Sequence, residues 1–161
     1  MPNLGNPVTG NNVPVTDTDW GIRVEKSITF TGGTANTIGD HDGTLDPFDI
    51  FTVTGLVVAR VFAVCTTALA GASATLEVGV TGGTASIIAL TTGTNIAVNE
   101  IWHDNAPDSF LEAATVATEN VIHGGGTNII GTVKTANITA GVIKFICCYY
   151  PLSDGASVVA A

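Results

Sequence analysis

The chain has 161 residues and a mass of 16.3 kDa, enough for one domain that buries roughly 70% of its unfolded surface and needs no disulfide staples. Charged residues are 12% of the sequence, against about 25% in an ordinary domain, and Asp+Glu 14 against Lys+Arg 5 gives a net charge of −9, which argues against nucleic acid as a partner. Mean hydropathy is +0.42, yet no apolar run approaches the ~18 residues of a membrane helix, and so few charges argue against a disordered chain.

Thr, Ala, Gly, Val and Ile dominate. Val, Ile and Thr are stiff at χ1 and suit a pleated strand, while helix formers at helical spacing are scarce. The chain reads as all-β. Residues 1–20 hold Pro2, Pro7 and Pro14 with Asn3, Asn6, Asn11 and Asn12, a density that opposes helix and sheet alike. They read as an extended arm or a disordered tail; in an assembly such an arm often lies across a neighbour. MPNLGNPVTGNNVPV has neither the basic nor the apolar region of a secretory signal.

Residues 22–30 alternate: Ile22, Val24, Ile28 and Phe30 share one face with Lys26 as the exception, and Arg23, Glu25, Ser27 and Thr29 share the other. Thr31-Gly32-Gly33-Thr34 signals a hairpin leading to a short strand at 34–38. The densest acidic stretch, GDHDGTLDPFD, covers 39–49. The longest apolar run is 50–67, with Gly55 marking a bulge or a bend and both parities apolar beyond it. That pattern predicts a central strand covered on both faces, in which Arg60 needs a carboxylate or a subunit boundary.

TLEVGV (75–80) alternates with Leu76, Val78 and Val80 inward, and Thr81-Gly82-Gly83-Thr84 signals a second hairpin before a strand at 85–91. TGGTANTI and TGGTASII nearly repeat, and read as one hairpin solution used twice. A short strand at 98–102 precedes the loop HDNAPD, and 109–118 reads as a strand or a short helix, with strand preferred. Gly124-Gly125-Gly126 is a turn, strands follow at 127–133 and 141–150, and the last ends at Pro151. Residues 153–161 read as a loose tail. About eight to ten short strands, with turns about every 8–14 residues, predict an antiparallel β-sandwich over 21–152, the jelly roll being the most economical version.

Chemistry-bearing patterns are few. Asp40, Asp42 and Asp46 surround Gly43, as an oxygen-rich Ca²⁺ loop would require, but the twelfth position of an EF-hand loop is Phe51 here. The three aspartates therefore read as turn residues without a metal. His41, His103 and His123 have no zinc-type spacing and read as solvated loop residues. There is no G-x-S-x-G elbow and no phosphate-loop spacing in GGGTNIIGTVK. Cys65, Cys147 and Cys148 form no disulfide framework; adjacent Cys147 and Cys148 point to opposite faces of a strand. Trp102, beside His103 and Asp104, fits either a sugar-stacking groove or an ordinary strand-end aromatic. No residue is assigned a catalytic, cofactor-binding or metal role, and an enzyme is the weakest reading.

FTVTGLVVARVFAVCTTAL (51–69), ATLEVGVTGGTASIIALTT (74–92), NEIWHDNAPD (99–108) and ITAGVIKFICCYYPLS (138–153) together resemble a group of small structural proteins of tailed bacteriophages. The TLEVG hairpin and NEIWHD are the most specific pieces, and the first 50 residues add nothing to the resemblance. It implies a capsid decoration, or cement, protein made in the host cytoplasm. Such a protein sits on the capsid exterior as a homotrimer bound to the major capsid protein. The alternative it implies is a tail or head fibre component with a glycan- or host-binding role.

Overall fold

The computed structural model describes residues 21–109, 120–124 and 126–161. They form β1 (Ile22–Thr29), β2 (Phe48–Thr54), β3 (Val57–Ala70), β4 (Thr75–Val80), β5 (Gly83–Thr92), β6 (Glu100–Trp102), β7 (Asp108–Ser109), β8 (Val121–His123), β9 (Ile129–Lys134), β10 (Ala140–Pro151) and β11 (Ser157–Ala160). One 3-10 turn at Gly93–Asn95 follows β5. All pairings are antiparallel and fall into two sheets. One runs β1-β10-β3-β6-β7, with β8 also on β3; the other runs β11-β2-β9-β4-β5. The fold is an all-β sandwich, as the alternating segments predict.

The core is the set of inward side chains of both sheets. Val57, Ala59, Val61, Ala63 and Cys65 of β3 and Ile143, Phe145 and Cys147 of β10 meet Ile50, Phe51, Leu76, Val78, Ile129 and Val133 from the other sheet. Removing this apolar surface from water is the main drive to fold, at about 25 cal/mol per Å². Two edge-on aromatic pairs lie within it, Phe30–Phe48 at 5.8 Å and Trp102–Phe145 at 6.2 Å.

The apolar run 50–67 is two strands rather than one. Gly55 has φ +69°, and a Cβ there would stand 2.9 Å from Ala156 Cα, so only glycine fits the corner. The chain leaves one sheet at Thr54 and enters the other at Val57. Beyond the corner the two parities differ. The inward one is fully buried, while Val58, Phe62 and Val64 on the outer one are half-buried. The expected covering of both faces is therefore only partial there.

The two TGGT segments do different things. Residues 81–84 carry the β4–β5 hairpin, with Val80 paired to Gly83. Residues 31–34 start a compact set of turns, and 34–38 is not a strand. Thr31 N–H donates to Ile38 O at 2.8 Å, and the Thr37 hydroxyl donates to Thr31 O and Thr34 O. These local bonds occupy the carbonyls a ladder would use. Gly32 is packed against Gly39, where a Cβ would stand 2.1 Å from its carbonyl carbon.

The C-terminal residues are also a correction. Residues 157–160 are β11, whose Val158 packs in the core and which pairs with β2 from Ser157–Thr54 to Ala160–Phe51. Lys26, the misfit on the inward parity of β1, explains part of this. Its ammonium donates to the carbonyl of Asp49 at 3.2 Å and to the main-chain oxygen of Ala161, joining β1 to the β2–β11 border. β8 is a strand absent from the sequence reading. The arm reading of 1–20 lies outside the described residues, as does the strand reading of 109–118 apart from Ser109, which ends β7.

Candidate functional site

The acidic loop resolves into three separate tasks. Asp40 Oδ2 accepts the Asn36 N–H at 2.8 Å, Asp42 Oδ2 lies 3.1 Å from His41 Nε2, and Asp46 Oδ1 accepts the Val133 N–H at 2.8 Å. The carboxylates thus fasten turns and tie the loop to β9. Burial raises the pKa of Asp46 above its ordinary value, against the lowering effect of the Val133 bond and Lys134. Among the described residues no three His, Cys, Asp or Glu side chains converge in a metal-binding group.

The histidines occupy different parts of the fold. His41 Nδ1 is 2.6 Å from Asn137 Oδ1, and Asn137 Nδ2 donates in turn to Gly32 O at 2.7 Å. His123 is not a solvated loop residue. It ends β8, is buried, and its Nε2 meets the carbonyl of Thr127. His103 is half-buried in the loop after β6.

The cysteines are free and buried. Cys147 belongs to the core between the sheets, and burial, with neighbouring Cys148, pushes its thiol up to about 12. Burial also raises Cys65 and Cys148. Such thiols carry almost no thiolate at neutral pH and are poor nucleophiles. Trp102 is fully buried, and its indole N–H donates to Thr91 Oγ1 at 2.9 Å. It therefore offers no ring face for a sugar, and of the two readings the strand-end aromatic with its N–H satisfied is the one it fits. The Thr91 hydroxyl also lies 3.2 Å from Asp104 O, so this trio fastens the end of β5 to the β6–β7 loop.

Two surfaces do stand out. The first is the outer border of β5, the last strand of its sheet. It is 10 residues long, and no charged residue or proline occurs from Val78 to Asn99. Ala85, Ser86, Ala89 and Leu90 are exposed, Leu90 by 47%. Other sheet borders are short or charged: β7 has 2 residues, β11 has 4, and β1 carries Arg23, Glu25 and Lys26. A long uncharged border strand presents free main-chain donors and acceptors to any other strand, which proteins ordinarily prevent with charge, proline, bulges or cover. Among the described residues, β5 has of these devices two register irregularities against β4.

The second surface lies on the outer face of the other sheet. The pairs Ile122–Val58 and Val58–Tyr150 set three apolar side chains in one row across β8, β3 and β10. Leu56 and Leu152 extend it, joined by the bond from Leu152 N–H to Leu56 O at 2.7 Å. Ile122 is 74% exposed, Leu152 51%, Tyr150 42% and Leu56 39%. Neither surface was singled out from the sequence. The uncharged run 78–99 carried a signal for the first; the second depends on which strands become neighbours.

No helix among the described residues is long and apolar enough to cross a membrane. Comparison with known proteins finds no matching family model, no matching curated protein and no matching solved structure.

Proposed function

We propose that the chain is a structural virion protein, a capsid decoration protein that binds the outside of a major capsid protein lattice as a homotrimer and stabilises the head. The observation that carries this reading is the uncharged border of β5, a surface that fits another protein strand. Main-chain pairing along such a border, with Leu90 covered at the joint, suits permanent self-association. A three-fold ring uses a heterologous contact, in which β5 of each copy meets a different patch on the next.

The resemblance to phage structural proteins supports the same reading from another side. Its two most specific pieces fall on β4 and on β6 with the loop behind it. Those segments supply Leu76, Val78 and Trp102, all fully buried. The resemblance thus speaks for a shared way of building the sandwich. The β5 border is what speaks for assembly.

The test is light scattering of the purified protein, then co-sedimentation with heads lacking a decoration protein. The proposal expects a mass three times the 16.3 kDa chain and saturable binding that raises the temperature at which heads rupture. A monomer that ignores heads and is retained on glycan surfaces would replace it with the fibre reading.

A further inference from the structure

We infer that Asp154 is a site of spontaneous isomerisation, at which the main chain reroutes through the aspartate side chain and β11 is loosened. The chemistry needs an aspartate followed by a small residue. The main-chain nitrogen of that residue attacks the side-chain carboxyl carbon and a C–N bond forms. One carboxyl oxygen leaves as water, carrying the amide proton and a proton drawn from solvent. Water then opens the five-membered imide at the former main-chain carbonyl. The chain now continues through Cβ and Cγ, and its composition is unchanged. Glycine is the best second residue because it has no Cβ to crowd the ring. The sequence holds this dipeptide at Asp42-Gly43 and at Asp154-Gly155.

The fold treats the two dipeptides differently. At the first, both reacting groups are held. Gly43 N–H donates to Asp40 O at 3.0 Å, and Asp42 Oδ2 lies 3.1 Å from His41 Nε2. A Cβ at Gly43 would stand 2.8 Å from Asp40 Oδ2, so that turn is also closely packed. At the second, among the described residues, no hydrogen bond or ion pair holds the Asp154 carboxylate or the Gly155 N–H. Both residues are exposed, Gly155 has φ +72°, and apart from its chain neighbours nothing stands within 4 Å of where its Cβ would be. The bond across this turn runs from Ala156 N–H to Ser153 O at 3.1 Å and leaves the attacking nitrogen out. The restraints on Asp42 and Gly43 must open before a ring can close there, which holds that site back by about tenfold or more.

The position of the turn gives the modification a consequence. It joins β10 to β11 and packs against the corner at which the chain changes sheets. Ser153 Oγ accepts the Leu56 N–H at 2.9 Å, and Ala156 is the residue whose approach admits only glycine at position 55. Isomerisation lengthens the main chain by one carbon between these two contacts. β11 has 4 residues and a single core side chain, Val158. So short a ladder is poorly able to keep its register against a longer turn. This inference is independent of the β5 border and of capsid binding.

The test ages the full chain at neutral pH and body temperature, native and unfolded in urea. Peptide mapping with electron-transfer fragmentation then separates aspartate from isoaspartate at each dipeptide. In the native chain isoaspartate at 154 should exceed that at 42 at least tenfold, and in urea the two should accumulate at similar rates. Asp154→Glu, which cannot close a five-membered ring, should abolish the product at that position. Hydrogen exchange of the β11 amides should be faster in the aged chain than in the fresh one, and unchanged by ageing in Asp154→Glu. Equal isoaspartate at the two sites in the native chain, or none at either, would overturn the inference. So would a difference that persists in urea, since neighbouring residues rather than the fold would then select the site. Aged chains rich in isoaspartate at 154 whose β11 amides exchange as in fresh chains would overturn it too.

Discussion

β1 and β5 both border a sheet, and they are built from opposite residue types. β1 carries Arg23, Glu25 and Lys26 in 8 residues, and its charges are engaged. Arg23 pairs with Glu25 Oε1, Lys144 reaches Glu25 Oε2 at 2.6 Å, and Lys26 holds the carbonyls of Asp49 and Ala161. β5 has 10 residues and no charge. Among the described residues, its side-chain fastening lies at one end, where Thr91 Oγ1 accepts the indole N–H of Trp102. One border has its charges engaged within the chain, and the other carries no charge to engage. Placing a charged strand at a border costs little and blocks pairing. A border without charge is therefore informative about assembly in a way that an exposed leucine elsewhere is not.

The comparison breaks most directly at Leu90. Leu90→Lys puts a charge on the exposed side of β5 and should weaken self-association at least a hundredfold, about 2.7 kcal/mol. The fold should lose no more than about 0.5 kcal/mol, as expected for an exposed site. Light scattering over a dilution series, paired with urea unfolding, reads both effects. The same change at Ser27 of β1, Ser27→Lys, should leave the mass as it was.

Thr91→Val tests how the fastened end of β5 is held. It strands the buried indole N–H of Trp102 and should cost about 2 kcal/mol in urea denaturation. Thr91→Ser keeps the acceptor and should cost less than half as much. On the β1 side, Lys26→Met removes both bonds to main-chain oxygens while keeping the alkyl stem. Its effect should be about 1 kcal/mol, because the site is half-exposed and solvent compensates in part. Raising NaCl from about 0.1 to about 1 M is expected to have the smallest effect. It screens the Arg23–Glu25–Lys144 ladder, worth a few tenths of a kcal/mol on an exposed face, and leaves the uncharged β5 joint unweakened. A salt-induced fall in mass would show that charge pairs hold the assembly.

Much of the sandwich was legible because alternation is a local signal. β1, β4 and β10 follow it closely, and Cys147 and Cys148 divide between core and outer face as neighbours on a strand must. What escaped depends on partners distant in sequence. β8 and β11 have 3 and 4 residues, too few to show a period, and exist because β3 and β2 offer them ladders. Gly55 announced an interruption, but whether it was a bulge or a change of sheet was decided by how closely Ala156 approaches. The TGGT twins show the same limit: Asn36, Thr37 and Asp40 redirect the first into turns, while Ser86 and Ile87 leave the second free to pair. As for function, Trp102 attracted attention as an aromatic near polar residues, yet it is core. The β5 border was marked in the sequence by the charges it lacks.

Hydrogen exchange of the main-chain amides tests the central claim, that the β5 border is the assembly joint. The outward amides of Gly83–Leu90 should be slow at high protein concentration and become fast on dilution to the monomer, while those on the outer side of β1 keep one rate throughout. If the β5 amides exchange at the same rate at every concentration while the mass changes, the joint lies elsewhere and the account is wrong.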